Sequence, residues 1–275
     1  MKKGFTIKKI LINLIAFFVG ILTMIPFVWM ISASLMKTGE SAKYPPKFFP
    51  SEVDFSHYIF LFQNLEMTRY FFNSLALALL VTMISLLFNS MAAYAFAKLR
   101  FGVKDKLFKF LLSLMIVPGQ VTMLPLFLML KQLGFINSYF GIIIPGMASV
   151  FGIFLLRQFM MSIPDSLIDA ARIDGASDLK IFFKIIIPLS KSVLITLGIF
   201  TFIGTWNDFL WPLIVMTDSS MYTLPVALAS LMGEHTQDTE LMMAGSVITI
   251  LPVVILFAFV QKYYISGILV GSIKE

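Results

Sequence analysis

An all-α integral membrane fold with six transmembrane helices is what this sequence predicts, on three observations. Hydrophobic residues make up 59% of the chain and charged residues 13%, against roughly half and about a quarter in a soluble domain. Six apolar stretches, at 10–34, 71–97, 107–130, 136–156, 193–216 and 241–264, reach the ~20 helical residues that a ~30 Å hydrocarbon core requires. The segments between them are alternately rich and poor in Lys and Arg. A transmembrane β-barrel would instead show ~10-residue segments of alternating hydrophobicity.

The first stretch follows Lys2, Lys3, Lys8 and Lys9. Its apolar run exceeds the roughly 7–15 residues of a secretory signal and has no small-residue exit, so it is expected to stay as a helix. The outer segment after it carries Tyr44-Pro45-Pro46-Lys47-Phe48-Phe49-Pro50, whose prolines stiffen an extended path and whose aromatics suit a membrane interface. Inner segments follow the second and fourth stretches, and outer segments follow the third and fifth. Of the 21 Lys and Arg residues, only Lys37, Lys43, Lys47, Arg69 and Lys131 fall outside. Positive charge near span ends stays cytoplasmic, so both termini are expected in the cytoplasm. The net charge of +6 follows from that topology, and no nucleic-acid partner is needed to explain it. The expected organisation is a first helix and outer loop over 1–70, a transmembrane core over 71–264 that includes an inner loop at 160–189, and a cytoplasmic tail over 265–275.

Whole classes of chemistry are excluded. The chain has no cysteine, hence no disulfide, thiolate metal site or thiol nucleophile. It has no G-x-x-x-x-G-K-[ST] phosphate loop and no H-E-x-x-H or G-x-S-x-G arrangement. His57 and His235 fall in separate outer loops. No catalytic site, bound cofactor or metal is therefore expected in this chain.

The inner loop holds Asp169-Ala170-Ala171-Arg172-Ile173-Asp174-Gly175, a polar, small-residue run between two apolar spans. Pro164 suits the first position of a helix and Asp165 its first turn. Gly175 falls where a left-handed residue ends that helix, and Ser177 can cap another. Leu167, Ile168 and Ile173 are expected to face the bundle. Ala170 and Ala171 leave room for another protein's backbone, and Asp169 and Asp174 offer acceptors beside them. From the residues alone, a docking element and an ordinary amphipathic interfacial helix both stay open.

The pattern D-A-A-x-x-x-G-x9-I-x-I-P from Asp169 to Pro188 resembles the EAA loop of ABC importer permeases, E-A-A-x-x-x-G-x9-I-x-L-P, with Asp169 for Glu and Ile187 for Leu. Phe72-Asn73-Ser74-Leu75, Ala92-Ala93-Tyr94-Ala95-Phe96-Ala97, Val117-Pro118-Gly119-Gln120, Gly152-Ile153-Phe154-Leu155-Leu156-Arg157-Gln158, Trp206-Asn207-Asp208-Phe209-Leu210-Trp211-Pro212 and Phe259-Val260-Gln261-Lys262-Tyr263 extend the likeness to the carbohydrate-uptake branch of type I importers and its MalG-like subunit. The resemblance implies a bacterial or archaeal cell-membrane permease forming half of a pore with a second, related permease. It implies two cytoplasmic ATPase subunits that hold ATP and Mg2+, an extracytoplasmic solute-binding protein, and a sugar carried by alternating access. Asp169, Ala170, Ala171, Asp174 and Gly175 would form the coupling helix and turn, Pro188 would end the segment, and the tail would lie near the ATPases. Import of a polyamine, peptide or phosphonate is the alternative within the class. A membrane-embedded enzyme and a purely structural scaffold are the alternatives outside it.

Asp208 is an acid inside the fifth apolar stretch, where insertion costs ~2.5–3.5 kcal/mol, so it should face protein or water. With Trp206 and Asn207 it could hold a sugar, indole against the ring and polar groups on hydroxyls. Equally, the polar pair could join helices. Asn73, Asn89, Gln120 and Asn137 carry the same two readings. The prolines Pro26, Pro118, Pro125, Pro145, Pro212 and Pro252 are hinges or fixed kinks. The acidic outer loop with Asp218, Glu234, Asp238 and Glu240 is either a contact for the delivery protein or simply solvated.

Overall fold

Long apolar runs become helices because, in lipid, every backbone N–H and C=O has to be bonded within its own segment. The computed structural model describes residues 2–45, 47–234 and 238–272, with no strand among them. Pro46, His235 and the last residues of the expected tail, 273–275, lie outside the described residues. The helices are α1 (Lys2–Ala33), α2 (Ser56–Asn64), α3 (Met67–Lys98), α4 (Lys104–Ser113), α5 (Gly119–Gln132), α6 (Phe140–Gly146), α7 (Val150–Met161), α8 (Asp165–Ile173), α9 (Asp178–Ile181), α10 (Ile187–Leu189), α11 (Lys191–Trp206), α12 (Leu210–Val215), α13 (Leu224–Glu234) and α14 (Thr239–Ser272).

Among the described residues, four helical segments are long and apolar enough to cross a membrane: Lys8–Ala33, Met67–Lys98, Phe140–Met161 and Thr239–Phe259. Two bent pairs bring the total to as many as six, Lys104–Ile116 with Gly119–Gln132 at 104° and Asp178–Leu189 with Lys191–Trp206 at 81°. The first bend breaks the expected span at 107–130; the second falls at Ser190, just before the expected span at 193–216, which is itself interrupted at 207–209. At the first break Pro118 lacks an N–H and holds Val117 extended at φ −78°, ψ 118°, since the residue before proline is pushed out of the helical region. In the other stretch α11 ends at Trp206 and α12 begins at Leu210. Pro212 gives the carbonyl of Asp208 no donor, and its ring conflicts with that carbonyl. Asp208 thus lies in a break, not inside a helix.

The contacts divide the chain into two units, Met1–Thr68 with Ala227–Pro252 and Arg69–Val226 with Val253–Glu275. In the first, Ala33, Met36, Leu61 and Met67 are fully buried. His57 Nε2 donates to Met36 O at 3.0 Å. Glu40 accepts from Ser51 Oγ at 2.5 Å and Ser51 N at 3.0 Å, bonds that hold its carboxyl below the usual carboxylate range. A Cβ on Gly245 would come within 2.6 Å of Leu228 Cδ1, so glycine is what lets α14 approach α13 there.

Two of the second unit's apolar clusters join its helices. One joins Leu77 and Val81 of α3, Leu130 of α5 and Ile142 of α6 to Trp211, Val215 and Met216. The other gathers Ala93 and Tyr94 of α3, Leu156 and Met160 of α7, and Val193 and Leu197 of α11 around the inner loop. Dispersion and packing shape in these clusters, not backbone bonding, decide which helices are neighbours.

Candidate functional site

The inner loop hangs on one buried side chain. Ile168 of α8 is 2% exposed and packs with Tyr94, Met160, Ile163, Ile181, Phe182 and Ile186, while Ala171 and Ala176 lie half-buried against the same cluster. Leu167 is 45% exposed and Ile173 86%, which corrects the expectation that all three apolar residues face the bundle. At 100° per residue a nine-residue helix turns a single stripe inward, and Ile168 with Ala171 takes it.

Both ends of α8 are closed by local chemistry. Pro164, extended at φ −60°, ψ 132°, stands at the cap, one residue earlier than expected, and Asp165 opens the helix. Asp165 accepts from Lys98 Nζ at 2.6 Å, and the same ammonium donates to Ile163 O at 2.6 Å. That bond and the positive charge hold the Asp165 carboxyl below its ordinary value. At the other end Gly175 has φ +77°. Its N–H donates to Arg172 O at 3.0 Å, and that of Ala176 to Ala171 O at 2.9 Å, the paired bonds of a Schellman stop. Ser177 Oγ then accepts from Lys180 N at 3.3 Å and opens α9. Arg172 ties the two helices, donating to Asp178 Oδ1 at 3.0 Å and lying 3.9 Å from Asp169 Oδ1. Pro188 follows a π-helical turn over Phe182–Ile186 in which Ile187 N donates to Phe182 O. The widened turn spans Lys184, the carbonyl that the proline ring would otherwise strike.

The outward side of this loop presents Asp169, Ala170, Ile173, Asp174 and Gly175, all exposed. It is a ledge, anchored below by Ile168, with Ala170 and Gly175 leaving small positions along its rim. Nothing lies within 4 Å of a Cβ built on Gly175, so its requirement is conformational. Gly175→Val is expected to destabilise the turn by roughly 1–2 kcal/mol, and Gly175→Asn to be tolerated, because asparagine enters the left-handed region readily. Amide hydrogen exchange at Gly175 and Ala176 measures it, and equal protection in the two variants would refute it.

The polar residues singled out within the spans are not gathered into one site. Asn89 is fully buried, donating to Ser85 Oγ at 2.7 Å and accepting from Ser149 N at 2.9 Å. Ser149 in turn accepts from Gly152 N at 3.0 Å and starts α7. The Asn89 amide is thus the clasp on the joint between α6 and α7. Trp206 is 1% exposed, stacked on Phe202 with centroids 6.0 Å apart and meeting the edge of Phe71 at 5.8 Å. Its indole is covered here, so it does not offer an open stacking face. Asn207 is exposed at the end of α11, and Asp208 Oδ1 accepts from Trp211 N at 3.4 Å at the start of α12. Asn73 donates to Ser220 O and Tyr222 O and accepts from Tyr139. Asn137, at φ +54°, accepts from Thr217 N and Asp218 N.

Gln120 is exposed. With Thr122, Met123, Pro145 and Trp211 it lines a recess of about 260 Å3. Trp211, which sequence reasoning quoted only within a longer segment, donates from Nε1 to Gly141 O at 2.9 Å. The available signal was a second indole, five residues after Trp206 and beside Pro212. In the acidic outer loop Glu240 is 1% exposed and accepts from Ser41 N at 2.7 Å. It binds its own chain and is not a surface acid, as the sequence had suggested. Asp218 is exposed.

Known proteins share this arrangement. The family model described as binding-protein-dependent transport system inner membrane component matches residues 89–269. The arabinooligosaccharides transport system permease protein AraQ of Bacillus subtilis (strain 168) is 37% identical, covering 98% of this chain and 97% of that protein. The lactose transport system permease protein LacG of Rhizobium radiobacter is 30% identical over 92% of each. A chain of a solved bacterial ABC transporter involved in import of the acidic polysaccharide alginate is similar with a TM-score of 0.86 at 26% identity, over 96% of this chain and 99% of that one. An anchored inner loop with the D-A-A-x-x-x-G pattern, broken apolar spans and likeness along nearly the whole chain lead to one assignment: this protein belongs to the family of inner membrane components of binding-protein-dependent transport systems.

Proposed function

We propose that this chain is one permease subunit of an ATP-driven importer of sugars, with oligosaccharides as the substrate class. It forms half of the pore with a second permease, and both of its termini lie in the cytoplasm. The observation that carries the proposal is the ledge of α8. Its inward side is locked into the core by Ile168, and its outward side, Asp169, Ala170, Ile173, Asp174 and Gly175, is exposed and small enough for close approach. A cytoplasmic ATPase seated there would move α8 as a lever. Because Ile168 packs against residues of α3 and α7, that motion would reach helices that span the membrane. ATP and Mg2+ belong to the ATPase pair; this chain contributes the path and the coupling surface, not catalysis. Sugar as the cargo is supported by the arabinooligosaccharide, lactose and alginate systems among its relatives.

Purification of the tagged chain from its native membrane in mild detergent, followed by mass spectrometry, tests the assembly. Recovery with a second permease, an ATPase and a solute-binding protein is expected. In proteoliposomes the ATPase should respond to binding protein loaded with an oligosaccharide. A response only to a polyamine, peptide or phosphonate would overturn the sugar assignment, and turnover by this chain alone would overturn the importer.

A further inference from the structure

We propose that the corner between α3 and α4 binds the phosphate headgroup of an anionic phospholipid of the cytoplasmic leaflet, an inference that rests on the orientation proposed above. The connecting residues 99–103 turn tightly, held by Lys104 Nζ donating to Leu99 O at 3.1 Å. They border a recess of about 640 Å3 lined by Arg100, Phe101, Gly102, Lys104, Asp105 and Lys106. Three cations there face one carboxylate. The next acid across the corner, Asp165, is bonded to Lys98, whose side chain is 4% exposed. Arg100, Lys106 and Lys109 are exposed, and none lies within ion-pair distance of a carboxylate among the described residues. Such a cluster attracts a phosphate and offers a guanidinium fork to hold it.

The apolar rim decides between a lipid and a soluble phosphate. Phe108 turns inward, 7% exposed, against Phe96 at 5.4 Å with the Arg157 guanidinium 4.0 Å from its ring centroid. Phe101, Val103, Leu107 and Phe110 turn outward at 40%, 61%, 44% and 62% exposure. A free anion would touch only the cations. A phospholipid would place its headgroup on Arg100 and Lys106 and lay its acyl chains along Val103, Leu107 and Phe110, as amphipathic interfacial helices do.

The assembled protein, reconstituted in bilayers of equal parts phosphatidylglycerol and phosphatidylcholine and then extracted, is analysed by native mass spectrometry for retained lipid. Wild type is expected to keep phosphatidylglycerol in preference, and Arg100→Gln, Lys106→Gln and Lys109→Gln each to cut that preference roughly five-fold. Helical circular dichroism and retention of partner subunits confirm that the variants are folded. Equal retention of the two lipids by wild type, or an unchanged preference in all three variants, overturns the proposal. So does displacement of the retained lipid by inorganic phosphate, which would make the ligand a soluble anion. Orientation is read separately. The chain has no cysteine, and a Cβ at Gly102 meets nothing within 4 Å, so Gly102→Cys gives a unique label. Reaction with an impermeant maleimide from the outer face would overturn the topology and the lipid site together. Reaction from the inner face without lipid preference would overturn the lipid site alone.

Discussion

Ile168→Ala should uncouple transport while leaving the spans in place. The side chain is 2% exposed in a cluster drawn from α3, α7, the inner loop and α11. Truncating a buried isoleucine costs about 2–5 kcal/mol in lost apolar burial and residual cavity. That loss falls on a nine-residue helix, too short to persist without tertiary packing. The expected result is rapid amide exchange through Asp165–Ile173, retained exchange protection in α3, and ATPase activity that no longer drives uptake. Ile173→Ala makes the contrast. Ile173 is 86% exposed, so its truncation should leave exchange in α8 unchanged and weaken only ATPase association. Unaltered exchange in the Ile168 variant would show that α8 is held by something other than this anchor.

Gly152→Leu should be more damaging than its position on a lipid-embedded helix suggests. A Cβ there would stand 2.8 Å from both Asn89 Nδ2 and Ser149 Oγ, and 2.9 Å from Asn89 Cγ. Asn89 is fully buried and cannot swing away without releasing the Ser149 N–H. Overpacking of this kind costs about 1–3 kcal/mol, and a buried donor left unpaired adds roughly 1–3 kcal/mol. Asn89→Leu reaches the same joint from the other side, removing the acceptor for Ser149 N while keeping similar bulk. Both variants should unfold at lower temperature in detergent, with Gly152→Leu the worse. A midpoint unchanged in Gly152→Leu would mean that the two helices are not closely apposed at this point in the membrane.

The local parts of the site were legible in the chain. Gly175 and Ser177 were placed as stop and start of two helices because those requirements are settled within one turn of backbone: a left-handed φ at one position, an oxygen acceptor at the other. The breaks were not. The prolines at 118 and 212 could be named from sequence, but hydropathy averaged across the breaks and could not distinguish a gentle kink from the 104° bend found at Pro118. Ile168 and Ile173 have the same side chain five residues apart, yet one is buried and the other bare, because their faces differ by about 140° and only a neighbour decides which face is inside.

By itself, then, the sequence determined that the chain is helical, that it belongs in a bilayer and where its inner loop turns. These depend on composition and on interactions within a few residues, which every copy of the chain carries whatever surrounds it. The tertiary structure alone decided that Asn89 clasps a joint, that the Trp206 indole is covered, that Glu240 is bound to Ser41, and that one isoleucine anchors the coupling ledge. Those outcomes depend on which distant helix arrives opposite each side chain. In a bilayer, where apolar side chains are equally at home against lipid or protein, packing shape makes that choice, and hydrophobicity does not encode it.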